Sequence, residues 1–92
     1  MSDVDLLNVA RLGIDAEVFA KSDVGQYMIS KAQMEIDAEM SALVDADPED
    51  HKLGREIRNK IHVARMFLSW LNEAIQVGEH ACAQLNELDS QQ

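Results

Sequence analysis

The stretch "IRNKIHVARMFLSWLNEAIQVGEHACAQL", residues 57–85, decides the fold. Ile57, Ile61, Ala64, Leu68, Leu71, Ile75, Gly78, Cys82 and Leu85 follow one another in alternating steps of four and three. That is the heptad seam of a long α-helix, sustained over about four repeats. Val63, Phe67, Trp70, Ala74, Val77, Ala81 and Leu88 widen the seam to an arc of roughly 140°. A two-stranded coiled coil needs a narrower stripe, so the spacing predicts a helix that touches more than one neighbour.

Just upstream lies "DADPEDHKLGRE", residues 45–56, with the only proline of the chain. Asp47 suits an N-cap, Pro48 the first helical position, and Glu49 and Asp50 the positive end of the helix dipole. The reading is a helix over 48–89, about 60 Å long, with Gly78 its weakest point. The final "LDSQQ", residues 88–92, reads as a frayed end.

Before the break, "SDVGQYMISKAQMEIDAEMSALVDAD", residues 22–47, carries a second seam: Ile29, Ala32, Ile36, Met40 and Leu43. Asp23 is the expected N-cap, completed by Gln26 as a capping box. This helix spans 23–46, about 35 Å. So short a connection to the next helix requires an antiparallel hairpin. The first 22 residues predict less regular structure: a short helix from Asp3 stopped by Gly13, then a turn capped by Asp15, with Leu7, Ala10, Ile14 and Val18 facing inward. The expected fold is therefore all-α, a single domain built as a long antiparallel helical hairpin with a short N-terminal helical segment. The third helix outruns the second by roughly 25 Å. Its apolar overhang, Leu71 to Leu88, needs a cover, partly from the N-terminal segment and partly from a second subunit. A homo-oligomeric bundle is expected, with Ile57, Ile61, Ala64, Leu68, Leu71, Ile75, Cys82 and Leu85 as the seam.

The totals agree. Ninety-two residues suffice for one domain whose core is small unless it oligomerises, and 47% of them are apolar. The lone Cys82 permits no internal disulfide, the acidic N-terminus is unlike a signal peptide, and no stretch reaches the length of a membrane span. These features predict a cytoplasmic protein, of a cell or an infected host, or a virion component, with no membrane contact.

Charge is unevenly placed. The chain carries a formal −9, yet five of its eight Lys and Arg residues fall in "KLGREIRNKIHVAR", residues 52–65. With Glu56 the only acid there, this stretch is +4, which leaves −13 for the remainder. Arg55, Arg58, His62 and Arg65 share one outer stripe at helical spacing. They match a phosphate-bearing ligand or an acidic partner surface, or else the acids of the hairpin partner, Glu35, Asp37, Glu39, Asp45 and Asp47. Geometry favours the second, because an antiparallel hairpin brings those acids alongside. Trp70, at the margin of the apolar arc, suits helix packing or a partner contact. The partner-contact candidates are therefore Arg55, Arg58, His62, Arg65, Trp70, Glu35 and Glu39.

Several chemistries find no support. Net negative charge and the lack of aromatic residues within the basic cluster oppose direct nucleic-acid binding. His62, Glu73 and His80 share a face but spread over about 27 Å of helix, too far for one metal ion. No Gly-rich phosphate loop is present, and Cys82 on the seam reads as a small buried apolar residue. No catalytic residue, metal or cofactor is expected, and the protein is read as non-enzymatic.

The stretches 22–50 and 57–81 together resemble small uncharacterised helical-hairpin proteins of tailed bacteriophages, often encoded near head and portal genes. The shared features are a Val-Gly-x-Tyr start (Val24 to Tyr27), a long helix, the Asp47-Pro48 break, and the aromatic-x-x-Trp-Leu-x-x-Ala-Ile run from Phe67 to Ile75, followed by Gly78. The resemblance covers about residues 19–81. It implies an accessory protein of virion assembly or structure, whose partners are itself and viral structural proteins. Two other readings stay open: an acidic host-directed inhibitor, binding a defence or nucleic-acid-handling protein, and a sponge for a small ligand such as a nucleotide, held by Arg55, Arg58 and Arg65.

Overall fold

The computed structural model describes residues 2–90, which form three α-helices: α1, Asp3–Lys21; α2, Asp23–Asp45; and α3, His51–Ser90. No strand occurs among them. The all-α hairpin expected from the seam is present. α1 and α2 run one after the other in the same direction, and both lie antiparallel to α3. α2 packs on its N-terminal half, where Glu39 reaches Lys60, and α1 on its C-terminal half, where Gly13 meets Gly78. The result is a flat slab of 64 × 28 × 15 Å.

The N-terminal segment is more regular than the sequence reading had it. α1 is continuous through Gly13, with no stop there and no new cap at Asp15. Gly13 is a packing residue. A Cβ built on it would stand 2.6 Å from the Cα of Gly78, and one on Gly78 would stand 2.5 Å from the Cα of Gly13. The two glycines let the backbones of α1 and α3 touch. Around this crossing Leu6, Ala10 and Ala81 are buried, with Val9, Cys82 and Leu85 packed against them. Ala10 faces inward as expected, but Leu7, Ile14 and Val18 are exposed. The glycine contact fixes the rotation of α1, and Leu6 and Gly13 take the inner face in their place.

One residue ends α1 and begins α2. The Ser22 N–H donates to the Val18 and Phe19 carbonyls, and the Ser22 backbone is extended, with ψ 161°. Its hydroxyl accepts from the Gly25 N–H at 3.0 Å and donates to the Phe19 carbonyl at 2.6 Å. Ser22, not Asp23, is thus the N-cap of α2, and Gln26 donates back to the Ala20 carbonyl instead of closing a capping box. A Cβ on Gly25 would overlap the Phe19 carbonyl oxygen, so only glycine fits this joint.

The next break also sits further along than expected. Asp47 and Pro48 form a turn in which the Asp47 carboxylate accepts from the Glu49 N–H at 3.0 Å. Asp50 caps α3, accepting from the Leu53 N–H at 3.1 Å. Pro48 therefore precedes the helix, which starts at His51. At the other end Leu88, Asp89 and Ser90 are helical, with the Ser90 hydroxyl donating to the Asn86 carbonyl at 2.9 Å. Gln91 and Gln92, part of the expected frayed end, lie outside the described residues.

Along α2, Ile29, Ala32, Ile36 and Leu43 face α3 as expected, and Gly25 is buried. Met40 is exposed, and Glu39 occupies the inner position instead. On α3 the seam is used within the chain. Ile57 and Ile61 are buried in the half that α2 covers, and Gly78, Cys82 and Leu85 meet α1. α1 covers the overhang left by α2 at Gly78, Ala81, Cys82 and Leu85, and leaves Val77 and Leu88 exposed. Burying a side chain of isoleucine size contributes ~1.5–3 kcal/mol, so Ile57 and Ile61 are major terms in so small a core.

The glycine crossing gives a test of sign. In an isolated helix Gly→Ala gains about 1 kcal/mol. At Gly78 the new methyl meets backbone, which a rotamer change cannot relieve. Gly78→Ala is therefore expected to destabilise by ~1–3 kcal/mol in urea unfolding, and a stabilised variant would sink the close-contact account.

Candidate interaction surface

A two-layer fold 15 Å thick leaves much apolar surface outside. Among the described residues, sixteen large apolar side chains are exposed, against five buried apolar residues. Single exposed residues of this kind are ordinary; a contiguous set is informative. One set is contiguous. On α3, Val63, Phe67, Trp70, Ala74 and Val77 recur in steps of four and three beside the seam. Because a seven-residue stripe follows the supercoil, these residues stay on one broad face of the slab.

Two hollows open on that face. The first, of about 580 Å³, is lined by Met28, Ala32, Val63, Ala64 and Phe67, with Lys31, Glu35, Asn59 and Lys60 at its rim. The second, of about 270 Å³, lies between Val9 and Leu12 of α1 and Trp70, Glu73, Ala74 and Val77 of α3. Phe67 and Trp70, one turn apart, separate them. Trp70 is 62% exposed, Val63 69% and Leu12 61%, so the ridge between the hollows is wet on both flanks. The charged groups lining the two hollows are Lys31, Lys60, Glu35 and Glu73, which sum to zero. In a chain of net −9 this face is close to neutral.

The basic stripe lies elsewhere. Arg55, Arg58, His62 and Arg65 are all exposed on α3. None of the four joins a carboxylate within 4.0 Å; the ion pairs among the described residues are Lys60–Glu39 at 3.7 Å and Lys21–Glu17 at 2.9 Å. The expected matching of this stripe to Glu35, Asp37, Asp45 and Asp47 is absent. The reason is position: the acids that approach α3 do so on the Lys60 side, and on the other side Arg65 finds the Met40 sulfur, at 3.8 Å. Glu39, with its side chain 17% exposed, is the one acid brought close to a cation of the cluster. In α1, Lys21 is held above its ordinary pKa by its hydrogen bond to Glu17 and by that carboxylate's charge. The pair suits the C-terminal end of the helix dipole.

Of the expected seam, Ile57, Ile61, Ala64, Leu68, Leu71, Ile75, Cys82 and Leu85 are buried or half-buried against the chain's own helices. Only Ile57 and Ile61 of these are fully buried, and the other six keep part of their surface. Of the partner-contact candidates, Trp70 and Glu35 fall on the hollowed face, and the arginines do not. Sequence reasoning assigned Val63, Phe67, Ala74 and Val77 only to the width of the arc. It missed Val9, Leu12, Met28 and Lys60, and the available signal was that width, broader than a two-helix contact uses. Among the described residues, no three His, Cys, Asp or Glu side chains are grouped to hold a metal ion, and no helix is long and apolar enough to cross a membrane.

No protein-family model, curated protein or solved structure matches this chain.

Because Arg58 and Arg65 make no ion pair, Arg58→Glu with Arg65→Glu is expected to leave thermal stability within about 0.5 kcal/mol of the parent. Calorimetry checks it, and a larger loss would show that the stripe contributes to folding after all.

Proposed function

We propose that this chain is a phage-type accessory protein, non-enzymatic, that acts by protein–protein contact in virion assembly or structure. The contiguous apolar face around Trp70 carries the proposal. A face with a central aromatic residue, apolar hollows and a polar rim has the composition of a protein interface. Its shape and near-neutral charge favour another protein over a nucleic acid, whose phosphates require clustered cations. The resemblance of residues 19–81 to small phage proteins supplies the setting.

A second reading rests on charge. Only two ion pairs hold acids among the described residues, so most of the negative charge is presented to solvent. That surface suits an inhibitor docking on a basic host protein, such as one that handles nucleic acid. The two readings predict different partners and different salt dependence.

The test uses the tagged chain in infected cells. Purified particles are banded on a density gradient and probed for the chain, and chain-bound proteins are identified by mass spectrometry. Co-banding with particles, or with capsid or portal precursors, is the expected result. Recovery with one basic host enzyme, released by moderate salt and absent from particles, would overturn the assembly role in favour of the inhibitor.

A further inference from the structure

We propose that the hollowed face is the contact between two copies of this chain, packed face to face and antiparallel about a two-fold axis that crosses α3 between Phe67 and Trp70. This deepens the protein–protein reading above and rests on it.

Three observations place the axis. The first is the stripe itself. Val63, Phe67, Trp70 and Ala74 alternate in steps of four and three, so an antiparallel copy sets Phe67 opposite the partner's Trp70 and Val63 opposite the partner's Ala74. Large meets large at the centre and small meets medium outside, with every contact made twice. The second is shape. Trp70 projects from the ridge, and the larger hollow, floored by Ala32, Ala64 and Phe67, lies about two turns toward the N-terminus of α3. Rotation about this axis sets the partner's Trp70 against Phe67, which lines that hollow. The third is charge. The same rotation lays the half of the face that holds Lys31, Lys60 and Glu35 over the half that holds the partner's Glu73. Two copies of a chain of net −9 repel, and the face around this axis is where that repulsion is least, since the charges lining its hollows cancel.

Area permits the contact. A stable interface covers ~800 Å² per partner, less than a face of 64 × 28 Å provides. The product is a two-layered cross-section of four helices, thicker and drier than the single slab. No residue already buried inside the chain has to move.

The chain has one tryptophan, so its fluorescence reports this contact directly. Sedimentation equilibrium of the purified chain is expected to give a dimer, with Trp70 emission shifting to the blue as concentration rises. Trp70→Glu is expected to weaken association by about 30-fold or more, the effect of losing a central aromatic anchor, with helical circular dichroism unchanged. Val63→Glu is expected to do the same, and it keeps the test informative if the first variant misfolds. Spin labels at position 86, on a Cys82→Ala background, are expected about 55 Å apart from the helical rise. A separation of about 20 Å, as side-by-side parallel helices give, would overturn the antiparallel axis. A wild-type chain that stays monomeric, or variants that dimerise as tightly as the parent, would overturn the dimer. These outcomes are separable from the assembly role. A monomer that still bands with particles leaves that role standing and removes only the self-contact, whereas a dimer absent from particles does the reverse.

Discussion

The fold depends on one constraint: α3 has a continuous apolar seam longer than either helix that precedes it. A 40-residue helix cannot leave half of such a seam in water. The chain meets the demand with two shorter helices laid in sequence along α3. This needs a joint that changes the path of the chain without consuming length. Ser22 supplies it, capping one helix and opening the next, and Gly25 allows the start of α2 to lie against the Phe19 carbonyl. It also needs α1 to settle at a fixed rotation and distance, which the Gly13–Gly78 contact provides. Each of these small residues is positioned by the seam it helps to cover.

Covering a rod with rods gives a slab, and a slab has two broad faces. In a bundle with a third layer, Val63, Phe67 and Trp70 would be interior. Here they form a surface, and the same side chains that made the α3 arc too wide for a two-helix contact become the ridge between two hollows. The unfilled part of the arc and the exposed face are one feature, seen first as periodicity and then as shape. The electrostatic layout follows the same geometry. On one edge of the α2–α3 contact Lys60 meets Glu39. On the other edge Arg65 meets only the Met40 sulfur, and Arg55, Arg58 and Arg65 make no ion pair and keep their charge for solvent.

Much of this was legible in the sequence, and the misses have physical causes. The seam of α3, the hairpin and most of the inner positions of α2 follow from apolar spacing alone, because burial selects those residues directly. The N-terminal helix was under-read because Gly13 looks like a helix breaker, and Gly78 reads from sequence only as the weak point of α3. Their role depends on being opposite each other, a tertiary fact that propensity does not contain. Asp47-Pro48 carries every local mark of a helix start, yet Asp50 wins the cap three residues on, because Pro48 is taken up in a preceding turn. Glu39 took the inner position expected for Met40, because the long carboxylate reaches Lys60 at the edge of the contact. The basic stripe was placed correctly on α3 but matched to the wrong neighbours, since a sequence gives the angle of a side chain about its own helix and not the rotation of the helix facing it.

The oligomer seam illustrates the same limit more generally. Heptad spacing states that a stripe is covered, not by which chain. The two other helices of the chain cover much of the stripe through Ile57, Ile61 and Gly78. Information about partners is held instead by what remains after the chain has satisfied itself: the second stripe through Val63, Phe67, Trp70 and Val77, and the balanced charge beside it. Val63, Trp70 and Val77 are exposed and Phe67 is half-buried, so these side chains gain little from the fold that presents them. The lysines beside this face, Lys31 and Lys60, are offset by Glu35 and Glu73, whereas a nucleic-acid surface keeps its cations in excess.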